Sequence, residues 1–452
     1  MISAVVYIIF LGLLFILISR DKEDRYCALF LGILLFPSCI WTIDSPKMLV
    51  QHIFLYTFFA IEIGKNFPEF KRAIKEFPLK IPLLLIIISF ICTVYTTQGL
   101  NPKEYYSLLR YVIDLYGYLF AAYLLGRKAD TKTILNKLFI PLLILGFCGI
   151  FEGMFNVNYL YKYICLAFPH YDGFYDLAGD INACDSWRIR TLLTTTYPTA
   201  YSTLLCGLIL LYIPNLKEIE KKNYLKVLFV AILLINLLLC GCRTGMVCAG
   251  AALAFFIVRK WPVLVKITIV VALVFASFLY AQKVIENFSQ ENRGSSLQLR
   301  EQQLIFSIIQ IANKPVFGNG VSYLTKYIFE TDTYGDRIRD DDIMGMESIL
   351  FPKLINYGFA GLFLYFLLCG WIFVYFYKRR HLHSMASTGY LLIFAVTVFF
   401  IMSGNMGNAS AYIYLIIGLI LGNIQKLEKS SEDIDKTKEI ESKPAETDVR
   451  DE

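Results

Sequence analysis

Apolar runs recur along the whole chain, separated by short polar segments. Thirteen stand out, at about 2–19, 26–43, 48–63, 81–96, 107–125, 138–153, 191–213, 226–240, 244–258, 262–281, 359–377, 385–403 and 411–423. Runs of this length suit a hydrocarbon core about 30 Å thick. A transmembrane barrel would show alternating segments of about ten residues instead. The pattern therefore predicts an all-α, polytopic helical integral membrane protein with about 12–13 transmembrane helices. The first run lacks a basic leader and a small-residue cleavage site, so it reads as a retained span.

Charge gives the runs a direction. Basic clusters lie at Arg20, Lys22 and Arg25; at Lys65, Lys71, Arg72, Lys75 and Lys80; and at Arg127, Lys128, Lys132 and Lys137. Others lie at Lys217, Lys221, Lys222 and Lys226; at Arg259 and Lys260; and at Lys378, Arg379 and Arg380. With thirteen spans, all six face one side, which the positive-inside rule makes the cytoplasm. The N-terminus is then outside and the C-terminus inside. The net charge of +6 comes from these loops and does not indicate nucleic acid.

The membrane domain is expected over 1–427, with two larger extracytoplasmic loops at about 154–190 and 282–346. The polar stretch 428–452 has no aromatic residue to bury and reads as a disordered cytoplasmic tail. No internal repeat is visible, which argues against a transporter built from two related halves. The 11 cysteines fall mostly inside apolar runs, where they act as small hydrophobes. Cys165 and Cys184 share an external loop and are either a disulfide or two free thiols.

Candidate chemistry collects at the predicted outer boundary. Arg188 and Arg190 precede Thr194-Thr195-Thr196-Tyr197-Pro198, Arg243 sits in the turn Cys242-Arg243-Thr244-Gly245, and Arg300 sits in the second external loop. Arginine there runs against the positive-inside bias. It is explained either by snorkelling and ion pairing or by anion capture, since guanidinium presents paired donors that match phosphate oxygens. Several arginines converging on one site suit a pyrophosphate. Arg300 belongs to an expected amphipathic helix that Ser295 caps and Asn313-Lys314-Pro315 ends. Leu297, Leu304, Ile308 and Ile311 form its apolar face, and its polar face is expected toward external water. Glu347 opens the next helix. It is favoured there by the helix N-terminus, or serves as a general base for a sugar hydroxyl. Asp340, Asp341 and Asp342 are rivals for that role and weak candidates for a cation, without calcium-loop spacing.

These residues together resemble the bacterial O-antigen polymerase and O-antigen ligase superfamily over roughly 185–423. Arg190 to Leu204, with Pro198 and Ala200, resembles the family's Arg…Pro…small-residue segment. Cys242-Arg243-Thr244-Gly245 resembles its Ser-Arg-small-Gly turn, with Cys in place of Ser. Arg300 with Pro315 and Gly318-Asn319-Gly320 resembles its Arg…Pro…Gly-x-Gly region. Glu347-Ser348 with Gly358 resembles the helix that starts on a polar catalytic residue.

The resemblance implies a glycosyltransferase of lipid-linked oligosaccharides, multi-pass in the bacterial cytoplasmic membrane. Its substrate would be undecaprenyl-pyrophosphate-linked oligosaccharide drawn from the membrane lipid. Arg190, Arg243 and Arg300 would hold pyrophosphate, and Glu347 would be catalytic. Arg188, Asp340, Asp341 and Asp342 would assist in sugar binding, with the aromatics of 159–175. No cofactor and no metal are implied; a chain-length regulator and a flippase are the implied protein partners. Ligases usually carry His at the Glu347 position and many polymerases carry Glu or Asp, so the resemblance leans to a repeat-unit polymerase. A ligase is the near alternative and a flippase the distant one.

Overall fold

A computed structural model describes residues 2–44, 47–169, 183–185, 188–258, 296–321, 323–324, 346, 348–381, 383–404 and 409–441. Among these are fourteen α-helices and two small antiparallel hairpins. The helices are α1 (Ile2–Ser19), α2 (Lys22–Leu35), α3 (Val50–Glu76), α4 (Lys80–Gln98), α5 (Pro102–Gly126), α6 (Thr131–Phe155) and α7 (Tyr159–Ala167). They continue with α8 (Pro198–Asn215), α9 (Asn223–Leu239), α10 (Arg243–Val258), α11 (Ser296–Ile311), α12 (Leu350–Arg379), α13 (Ser384–Ser403) and α14 (Ala409–Glu441). The hairpins pair β1 (Trp41–Asp44) with β2 (Lys47–Leu49), and β3 (Ala183–Asp185) with β4 (Arg188–Ile189).

Eight of the described helices are long and apolar enough to cross a membrane, and α9 is apolar but shorter. The outward surfaces match that reading. On α1, Ile8, Leu11 and Phe15 are exposed although wholly apolar, a face that water would penalise and lipid would not. The expected span at 262–281 lies outside the described residues. α14 is the most buried of the candidate spans and packs along α5. Glycines allow this approach: a Cβ on Gly418 or Gly422 would lie 2.3 Å or 2.4 Å from backbone oxygens of α5, the small-residue packing that lipid favours.

Three boundaries differ from the sequence expectation. The run at 26–43 ends as a helix at Leu35, because Pro37 interrupts it and Ile40-Trp41-Thr42-Ile43 is β-branched and aromatic; residues 41–49 turn back as β1–β2 instead. The run at 191–213 is helical only from Pro198, which takes a first-turn position where its missing N–H costs nothing. α14 continues past Glu428 to Glu441, so the polar stretch begins as helix. There Glu428 accepts from Arg379 Nε at 2.6 Å and Lys429 reaches Glu76 at 2.6 Å.

These pairs belong to a larger set on one end of the bundle. Arg25 meets Glu62 at 2.6 Å with both side chains buried. Lys128 reaches Glu69 at 2.7 Å and Glu62 at 3.6 Å, and Arg127 reaches Glu76 at 2.5 Å. Lys137 meets Asp24 at 2.5 Å, and Lys132 meets Glu220 at 2.7 Å. Five of the six basic clusters enter or adjoin this network, so these five loops, assigned to one side by charge, lie on one side in space; Arg259 and Lys260 are outside the described residues.

Candidate functional site

The opposite end of the bundle holds Arg190, the Arg243 turn and Arg300. Residues 190–197 form an irregular stretch inside it, where every polar backbone group needs a partner. A buried carboxylate from α6 supplies two: Glu152 accepts the backbone N–H groups of Leu192 (3.0 Å) and Leu193 (2.8 Å). Leu193 holds a left-handed φ of 54°, uncommon for a side-chain-bearing residue, and its carbonyl accepts from the Asn158 amide. Thr194 donates to the Leu34 carbonyl, Thr195 to the Leu192 carbonyl at 2.7 Å, and Thr196 pairs with Ser38 at 2.7 Å. The threonine run is thus a knot of side-chain hydrogen bonds that fixes the segment starting at Arg190.

Arg190 is half-buried and lies against the α9–α10 turn. A Cβ on Gly241 would sit 3.4 Å from Arg190 Cγ and 3.5 Å from its Nε, and Gly241 has a φ of +65°. Gly241 thereby serves both the tight turn and the arginine above it. The turn is held by Cys240 Sγ donating to the Pro198 carbonyl at 2.7 Å. Arg243, at the start of α10, is exposed. The structure therefore brings Arg190 to the turn that presents Arg243. Arg188 lies in β4, two residues away, and its side chain is outside the described residues.

Contacts continue from this turn to α12. Ser403 at the end of α13 donates to Thr244 at 2.8 Å. Ile349 N–H donates to the Phe400 carbonyl at 2.9 Å. α12 is broken at Gly358, whose φ is +64°. The break exposes backbone groups, and the segment after α11 closes it. Asn319 and Gly320 N–H donate to the Ile355 and Asn356 carbonyls, both at 3.0 Å; Phe359 and Ala360 N–H donate to the Pro315 and Val316 carbonyls at 2.9 Å and 3.0 Å. Gly318 and Gly358 touch backbone to backbone: a Cβ on Gly318 would lie 2.5 Å from Gly358 N. The Pro315…Gly318-Asn319-Gly320 motif and the Gly358 motif are two halves of one joint.

That joint orients α11. Gln303 and Ser307 are buried, while Leu304, Ile305, Ile308 and Ile309 are exposed. Of the expected apolar face Leu304 and Ile308 point away from the protein and Ile311 is buried, while the polar stripe faces the protein instead of external water. Lipid at the membrane surface accepts the outward stripe better than water would. Arg300 falls on the inward stripe at helical spacing from Gln303 and Ser307 and is half-buried. Glu347 and Asp340, Asp341 and Asp342 lie outside the described residues, between segments that are described. α12 starts at Leu350, so Glu347 precedes the helix rather than opening it.

Two site-end residues were missed by sequence reasoning. Glu152 passes for a stray charge near the end of an apolar run, and Lys353 for a surface lysine beside Pro352. Lys353 is 9% exposed and its ammonium lies 5.1–5.9 Å from the rings of Tyr357, Phe90 and Tyr365. The one signal was their depth in apolar sequence, where an ionisable residue needs a reason. Cys165 is a free thiol.

Residues 228–366 match the family described as O-antigen ligase, in agreement with the resemblance to the O-antigen polymerase and ligase superfamily. The matched stretch holds Arg243, Arg300, Glu347, Lys353 and Gly358; Arg190 and Glu152 precede it. No curated protein matches the chain.

Proposed function

We propose that the chain is a repeat-unit polymerase working on undecaprenyl-pyrophosphate-linked oligosaccharides at the outer face of a bacterial cytoplasmic membrane. The observation that carries this reading is the meeting of Arg190 with the Arg243 turn across Gly241, with the α11–α12 joint bearing Arg300 at the same end of the bundle. Guanidinium forks at a partly desolvated site suit a pyrophosphate leaving group.

In the reaction, the bond between the donor's anomeric carbon and the pyrophosphate oxygen breaks. A bond from that carbon to an acceptor sugar hydroxyl oxygen forms. Glu347 takes the hydroxyl proton, and undecaprenyl pyrophosphate leaves with its charge held by Arg190, Arg243 and Arg300. The activated bond is already in the donor, so no cofactor and no metal are required. Arg188 and Asp340, Asp341 and Asp342 assist in sugar binding. A flippase supplies the substrate, and a chain-length regulator is a further partner.

A ligase is the second reading, favoured by the printed description of the matched family. Glu347→Gln separates the two, since glutamine keeps the shape and cannot take the proton. A positioned base contributes typically 100- to 10,000-fold. For a polymerase, cells carrying Glu347→Gln keep single repeat units on their final carrier and lose long chains on a gel ladder. For a ligase, long chains accumulate on the lipid carrier instead. A wild-type ladder removes Glu347 as the base and turns attention to Asp340, Asp341 and Asp342.

A further inference from the structure

Beside the α12 joint lies a cavity of about 200 Å³ that none of the arginines enters. Its lining includes Ser348, Lys353, Tyr357 and Tyr365 of α12, Tyr111 of α5 and Tyr414 of α14. Among the described residues, Lys353 is the charged residue of this lining. Among the described residues its ammonium is surrounded by rings and pairs with no carboxylate. Burying a cation is costly unless something offsets its charge. Ring faces offset part of that cost and, among the described residues, leave the ammonium at the cavity wall without a carboxylate to balance it.

We infer that this cavity is a subsite for one carboxylated sugar, such as a hexuronate, of the lipid-linked glycan. Charge and size both select it. One ammonium balances one carboxylate, whereas pyrophosphate carries more negative charge than a single lysine neutralises and would leave an uncompensated buried anion. The volume lies below the ~300–1,000 Å³ of sites for drug-sized ligands, which leaves room for one sugar ring rather than an oligosaccharide. Tyrosine walls offer apolar faces to the ring and hydroxyls to its edges, and Ser348 and Asn356 add polar groups at the same wall. The cavity also reaches Met346 and Ser348, the two residues that flank Glu347. The inference rests on the glycosyl-transfer reading and names the class of sugar that reading leaves open.

The test uses the purified full-length protein in lipid nanodiscs, with D-glucuronate, D-glucose and inorganic pyrophosphate as probes followed by saturation-transfer NMR. D-glucuronate is expected to bind at least about tenfold more tightly than D-glucose, roughly 1.4 kcal/mol. Lys353→Met is expected to erase that preference, while Arg243→Ala and Glu347→Gln retain it. Equal binding of the two sugars, or no D-glucuronate signal, overturns the inference, and this comparison needs no variant to fold. Displacement of D-glucuronate by pyrophosphate in both the wild type and Arg243→Ala also overturns it, since the cavity would then be a phosphate site. The two readings fail separately. Wild-type polymer with no D-glucuronate preference sinks this inference alone. A D-glucuronate preference in a protein that transfers no glycan from the lipid donor sinks the transfer reading and leaves the site standing.

Discussion

Glu152 shows what one buried side chain does for a neighbouring segment. Its two carboxylate oxygens accept from two consecutive backbone amides, at 3.0 Å and 2.8 Å. Those amides follow Arg190 and hold Leu193 at positive φ. Glu152→Gln puts an NH₂ group where one of those acceptors was, so a buried donor faces another donor. An unsatisfied buried donor costs about 1–3 kcal/mol. The expected outcome is a lower thermal transition in detergent and shorter or weaker glycan ladders. Glu152→Asp, which keeps both acceptors on a shorter stem, should retain more activity than Glu152→Gln. Equal activity of the two variants would mean that Glu152 does not position Arg190. The arginines themselves were legible in the sequence because charge at an outer boundary stands out against apolar runs. The partner of their backbone was not, because Glu152 and Leu192 are forty residues apart in sequence and no local pattern links them.

At the scale of elements, the α11–α12 joint explains why two glycine motifs occur together. Gly318 and Gly358 both hold positive φ, and each faces backbone where a Cβ would go. Gly358→Ala would place a methyl 2.4 Å from the Val316 carbonyl oxygen, and backbone at that distance has little room to yield. The left-handed conformation adds roughly 1–2 kcal/mol and the overpacking typically 1–3 kcal/mol. Gly358→Ala and Gly318→Ala are therefore expected to lower the amount of folded protein in membranes and to abolish polymer. Gly370, further along α12, has open space around it. Gly370→Ala should be neutral or slightly stabilising, since alanine is the better helix former. Fluorescence size-exclusion profiles of the three variants decide the matter, and a normal profile for Gly358→Ala would show that the joint tolerates movement. The motifs were readable as turn chemistry. Their mutual contact was not, because it depends on a helix that starts at Leu350 and breaks at Gly358, ahead of the apolar run at 359–377. The polar face of α11 was expected toward external water, and its inward turn was not legible because the joint that orients the helix joins segments distant in sequence.

At the scale of the whole molecule, the two ends differ in what their charges do. At one end, lysines and arginines are matched by Asp24, Glu62, Glu69, Glu76, Glu220 and Glu428. At the other lie Arg190, the Arg243 turn and the α11–α12 joint with Arg300. Charge bias alone, read from the sequence, separated these ends, because the positive-inside rule counts lysine and arginine without needing their partners. On that rule the ion-paired end is expected to face the cytoplasm. Leu100, in the loop between α4 and α5, is 80% exposed and belongs to the site end. Lys222, exposed at the start of α9, belongs to the other. In intact cells a membrane-impermeant maleimide should label Leu100→Cys above the wild-type background and leave Lys222→Cys at background. Opening the cells should bring Lys222→Cys up to the level of Leu100→Cys. Labelling of Lys222→Cys from outside, with Leu100→Cys protected, would invert the topology. It would also put the arginines on the wrong side of the membrane for a reaction on exported lipid-linked sugars.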